Sequence, residues 1–124
     1  MQHIEHDIQA ECVSWFKQEY PSGIIFAVPN AATHTRSYYY QAEGMLPGAP
    51  DLVVVNNGGV AFIEMKSPKG RMKEQQVEFM KKSQDNGIQY GICRSLEDFK
   101  STCKRLLPPK ANEQAYLMGS IFNF

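Results

Sequence analysis

Asp51, Glu64 and Lys66 are charged residues inside "GAPDLVVVNNGGVAFIEMKSPKG", 48–70, a stretch otherwise made of apolar strand and turn residues. "DLVVV" and "VAFIEMK" are rich in β-branched and aromatic residues and read as strands. "NNGG" between them is a strong hairpin signal. Taken as a symmetric four-residue loop, it pairs Val55 with Val60, Val54 with Ala61 and Val53 with Phe62. Continuing the count sets Asp51 directly opposite Glu64. Cross-strand partners share a face, with Cβ atoms ~4.5–5.5 Å apart. Lys66, two residues past Glu64, projects from the same face.

Two carboxylates in that position destabilise a sheet and raise each other's proton affinity unless a cation sits between them. A hard, oxygen-seeking ion such as Mg²⁺ suits such a pair. A charged lysine cannot be a ligand, but it can orient a nucleophilic water or stabilise charge building on a phosphate. The residues therefore point to a metal-dependent phosphate-cleaving site at the open end of a hairpin. The competing reading makes Asp51 a strand cap and Glu64–Lys66 a solvated edge.

The elements that must position these residues can be read from periodicity. Ile4, Ile8, Cys12, Trp15 and Phe16 predict a helix over 3–19, ended by Pro21 and Gly23. "GIIFAV", 23–28, is a short strand, followed by a long irregular stretch over 29–50 of the length usually kept for function. After the hairpin, "RMKEQQVEFMKKSQDNG" predicts a helix with Met72, Phe79 and Met80 inward and a stop at Asn86-Gly87. "IQYGICR" alternates as a strand, with Ile88, Tyr90 and Ile92 on one face. Ser95 caps a last helix with an apolar face of Leu96, Phe99, Cys103 and Leu106, ended by Pro108-Pro109. The tail carries apolar "AYLMGSIFNF", expected as an edge strand or a subunit contact. The order α-β-β-β-α-β-α predicts an α/β fold, a mixed sheet flanked by helices.

The chain has 124 residues, 43% of them hydrophobic and 21% charged, which suits one domain. No apolar run approaches the ~20 residues of a membrane span, and the N-terminus has no signal-like apolar region. Cys12, Cys93 and Cys103 form no CxxC and read as reduced cytoplasmic thiols, not a zinc site. The 13 basic residues balance the 13 acidic ones, so nucleic-acid binding would need a local patch.

"PD", then "EMK" after a twelve-residue gap, matches the PD-(D/E)XK nuclease signature. The surrounding "GAPDLVVV", "FIEMKSPKGR" and the helix carrying Gln76 and Phe79, with "EHDIQ" at 5–9 and "FAVPN" at 26–30 upstream, resemble the VRR-NUC domain in its short stand-alone form of the kind found in phages. The resemblance covers roughly 3–100. It implies a restriction-endonuclease-like sheet, a domain spanning 1–124 with its motif-bearing core over about 3–107, and a tail over 108–124. It implies that Asp51, Glu64 and the backbone carbonyl of Met65 hold Mg²⁺ or Mn²⁺, that Lys66 is the catalytic lysine and that Gln76 is the motif's glutamine. Glu5, matched through "EHDIQ", becomes a further acid of the site and of the metal; Glu11 is the rival for that role. The chain departs from the family at Pro29-Asn30-Ala31-Ala32, where "PNGG" is frequent, and at Lys73, where Ser or Thr is frequent.

The expected activity is a metal-dependent DNA endonuclease, selective for branched DNA of the Holliday-junction kind and acting as a homodimer, in a phage or bacterial cytoplasm. The alternatives are a flap- or sequence-specific nuclease of the same chemistry and a DNA-binding module that does not cut. Arg36, Lys69, Arg71 and Lys73 are the candidate DNA contacts. Phosphate contacts of this kind set affinity and register without reading sequence. Lys81 and Lys82 read as a solvated helix face. Tyr38, Tyr39 and Tyr40 could stack on bases, meet another subunit or pack on the core.

Overall fold

The computed structural model describes residues 2–29 and 42–108, with no side-chain account for 2–5. Its elements are α1 (Gln2–Glu19), β1 (Ile24–Ala27), β2 (Leu52–Asn56), β3 (Gly59–Met65), α2 (Glu74–Asp85), β4 (Gln89–Cys93) and α3 (Leu96–Leu106). This is the expected order. The four strands form one sheet in the order β1-β2-β3-β4, antiparallel except for the parallel β3–β4 pair.

The hairpin keeps the register counted from sequence: Val55 faces Val60, Val54 faces Ala61 and Val53 faces Phe62. Asn56 also pairs with Gly59, so the loop tightens to Asn57-Gly58. Their φ angles are 48° and 85°. Two consecutive positive φ values match the turn whose twist suits a hairpin, and Asn-Gly is the pair that tolerates them.

Alternation along the strands separates two faces. Leu52, Val54, Ala61, Ile63, Met65 and Cys93 form the buried face, covered by Cys12 and Phe16 from α1, Tyr20 just after it, and Phe99 and Cys103 from α3. Val53, Phe62, Glu64, Tyr90 and Ile92 belong to the other face by register. There α2 packs through Phe79 on Phe62, with ring centroids 5.5 Å apart. An aromatic pair of this geometry adds ~0.5–1.5 kcal/mol beyond its buried area. The acid-bearing face is thus the one that α2 closes, not the one that holds the main core.

One expectation changes in detail. α2 begins at Glu74 rather than at Arg71, so Met72 lies ahead of the helix instead of on its inward stripe. The reason lies outside the local sequence: Arg94 donates through Nη1 to the carbonyls of Ser67 (2.8 Å) and Gly70 (2.6 Å), which holds the chain after β3 as a turn. Ser95 caps α3 as expected, accepting the Asp98 N–H at 3.0 Å, and Thr102 joins Phe99 and Cys103 on its buried face.

Candidate active site

β2 begins at Leu52, paired with Ile63, while β3 runs on to Met65 beside β4, so Asp51 and Glu64 stand one step beyond the Leu52–Ile63 pair. Asp51 is fixed through both its backbone and its side chain. Its carbonyl accepts the Val28 N–H at 2.9 Å, which extends the β1 pairing, and its Oδ2 accepts the Met65 N–H at 2.7 Å. Part of the strand-cap reading is therefore correct: the carboxylate does bridge to the β3 backbone. The same carboxylate is also held against the neighbourhood of Glu64.

Glu64 is 2% exposed. A buried carboxylate needs charge compensation or hydrogen bonds. Gln76 donates from Nε2 to Glu64 Oε2 at 3.0 Å, and Lys66 Nζ lies 3.9 Å from the same oxygen. Lys66 thus projects on the expected face, its own side chain only 11% exposed. Its backbone N–H donates to the Cys93 carbonyl at 2.9 Å, which ties the end of β3 to β4.

Gln76 has a second task. Its Oε1 accepts the Lys73 N–H at 2.8 Å, so the amide links the first turn of α2 to Glu64. Lysine carries donors only and cannot cap a helix N-terminus through its side chain. The glutamine supplies the reciprocal half of a capping box instead. The inward amide foreseen from sequence is a satisfied one, bonded to the candidate site itself.

Gly48 explains why the turn before Asp51 approaches α2 so closely. Its φ is +84°, and a side chain there would overlap the backbone of Gln75. Between that turn and the helix lies a pocket of about 90 Å³, lined in part by Val28, Gly48, Asp51, Lys73 and Gln76. Lys69, Arg71 and Lys73 are exposed on the segment between Lys66 and α2. Lys81 and Lys82 are exposed further along the helix.

The structure brings Asp51, Glu64, Lys66 and Gln76 together, with the Met65 backbone between the two acids. Arg36 and the three tyrosines lie outside the described residues, as does the tail from 109 on. The Glu5 side chain is also outside what is described. Glu11 is exposed on α1, where its charge bears on Cys12, a residue of the opposite face. Among the described residues no group of three or more His, Cys, Asp or Glu side chains could hold a metal ion. Two acids, a backbone carbonyl and water are nevertheless an all-oxygen donor set, which suits Mg²⁺ or Mn²⁺ and not a soft metal.

Sequence reasoning did not find two residues near the site. Arg94 shapes the turn after Lys66, and only its position directly after a strand could have hinted at that. Tyr90 was read as an apolar strand residue. Its hydroxyl is buried, and burial followed by the charges of Glu64 and Asp51 pushes its pKa well above the usual phenol range.

A family model described as "VRR-NUC domain" matches residues 2–97. Among solved structures, one titled "VRR_NUC domain protein" is similar with a TM-score of 0.67 and 16% identity, covering 87% of this chain and 95% of its own. Another, titled "VRR_NUC domain", has a TM-score of 0.60 and 17% identity, covering 81% and 94%. At those identities the likeness is one of fold. No curated protein matches.

Proposed function

The chain belongs to the VRR-NUC family of nuclease domains, in the PD-(D/E)XK superfamily, and from that premise we propose that it is a Mg²⁺- or Mn²⁺-dependent endonuclease acting on branched DNA as a homodimer. The observation that carries the reading is the buried Glu64 carboxylate, with Asp51 opposite and Lys66 Nζ 3.9 Å away, at one end of the sheet. Binding alone needs no paired acids.

In this reading Asp51, Glu64 and the Met65 carbonyl hold the ion, with Glu5 as a further acid from the first helix. A divalent ion bound there would polarise the phosphate and lower the pKa of the attacking water. Lys66 positions that water and meets the charge developing on the phosphate. Gln76 fixes the Glu64 carboxylate through its Nε2 donor. Lys69, Arg71 and Lys73, with Arg36, hold the DNA backbone as phosphate contacts that set register and not sequence.

Cutting two strands symmetrically favours two subunits, because a domain of this size offers one such site. Ile24 and Phe26 of the edge strand β1 are 55% and 51% exposed, which supports a subunit contact. The family resemblance supports a four-way junction as the substrate. Among the described residues no helix is long and apolar enough to cross a membrane.

Incubating the purified protein with four-way, flap and linear DNA, with Mg²⁺ or with chelator, tests this. We expect Mg²⁺-dependent cuts, fastest on the four-way junction. Cutting confined to the flap favours the rival specificity. DNA binding without cutting in any condition favours the binding module and removes the nuclease mechanism.

A further inference from the structure

Tyr90 is the polar group near the acids that the mechanism above leaves without a role. β4 registers it against Phe62, and Glu64 follows Phe62 by two residues on the same face. α2 closes over that face, with Phe79 on Phe62 and Gln76 on Glu64. The Tyr90 hydroxyl oxygen is buried there and makes no hydrogen bond. A buried hydroxyl without a partner is costly, and phenylalanine would fill the same space without that cost. The charges that bear on this hydroxyl are those of Glu64 and Asp51, and together with burial they keep it protonated. It is therefore a neutral donor in the field of both acids.

We propose that Tyr90 is a positioning residue for the acid pair: its hydroxyl would donate to the Glu64 carboxylate when Asp51 and Glu64 hold a divalent cation. This rests on the metal-dependent reading given above. Gln76 already holds Glu64 from the helix side. Tyr90 holds it from the sheet side, so a carboxylate that must share its charge with an ion is oriented by two neutral donors from two elements. Donors that orient a liganding carboxylate have large effects on metal affinity while touching neither metal nor substrate.

The test is calorimetric titration of Mn²⁺ into wild-type protein and Tyr90→Phe at neutral pH, with thermal melts of both in chelator. The substitution keeps the ring and removes only the hydroxyl. We expect Tyr90→Phe to melt at or above wild type in chelator and to bind Mn²⁺ about tenfold more weakly. Equal Mn²⁺ affinity in the two proteins overturns this proposal and leaves the nuclease reading intact. A variant that melts well below wild type in chelator assigns Tyr90 to packing and also overturns it. Wild-type protein that takes up no Mn²⁺ overturns the metal-dependent reading itself, and the role of Tyr90 with it.

Discussion

Asp51 serves two demands with one carboxylate. Oδ2 accepts the Met65 N–H at 2.7 Å, which ties the start of β2 to the end of β3. The charge on the same group opposes that of Glu64 across the hairpin. Asn at 51 keeps an oxygen for the Met65 N–H and removes the charge. We predict that Asp51→Asn melts at or above wild type in chelator. Millimolar Mg²⁺ raises the wild-type melting temperature by mass action, raises that of the variant much less, and supports no cutting by it. Asp51→Ala, which also loses the acceptor, should cost about 1–3 kcal/mol in chelator. Four melts, wild type and Asp51→Asn in chelator and in Mg²⁺, decide the matter. An Asn variant that is clearly less stable in chelator and gains equally from Mg²⁺ makes Asp51 a structural cap only. The opposition of the two acids was legible in the sequence because "NNGG" fixes the register and every later pair follows by counting. The bond to Met65 was not, because it depends on a rotamer and on a strand end fourteen residues away in sequence.

At the scale of elements, the site depends on how closely the turn before β2 meets α2. Gly48 combines a positive φ with contact against Gln75, so alanine there is strained in its backbone and also crowded. We predict that Gly48→Ala destabilises the protein by about 1–3 kcal/mol and slows cleavage more than it weakens DNA binding. The turn carries Asp51 and the helix carries Gln76, so a shift between them disturbs the acids before it disturbs exposed lysines. Melting curves read together with gel shifts and cleavage rates check this, and a variant with wild-type stability and turnover contradicts it. The elements themselves were largely readable. Helical spacing located α1 and α3, and alternation located β4. The start of α2 was misread because Arg71, Met72 and Lys73 have good helix propensity, while the chain just ahead of them is held as a turn by Arg94, directly after β4, through the Ser67 and Gly70 carbonyls. Long-range hydrogen bonds to backbone carbonyls leave no local pattern.

At the scale of the molecule, the core brings together three thiols that lie far apart in sequence. Cys12, Cys93 and Cys103 are free and buried. Burial is the first cause that pushes them up, from 9.0 to about 12, 11 and 12 respectively. The unfolded chain therefore releases these protons first as pH rises. Stability from this source is intact below about 9 and is lost towards 11 to 12. Denaturant melts across that alkaline range should show the loss, and a flat profile contradicts it. The two faces of the sheet divide the labour: the thiol-bearing face stabilises, and the face under α2 carries the acids and the lysine. Light scattering should find two subunits, and a monomer both free and on DNA removes the symmetric junction model but leaves the chemistry. The central claim is that Lys66, beside Glu64, acts on the reacting phosphate while other basic residues hold the DNA. Cleavage of one four-way junction by Lys66→Ala in Mg²⁺, with a gel shift on the same substrate, tests it most directly. Cutting should be abolished while binding stays near wild type. Full turnover by the variant would contradict it.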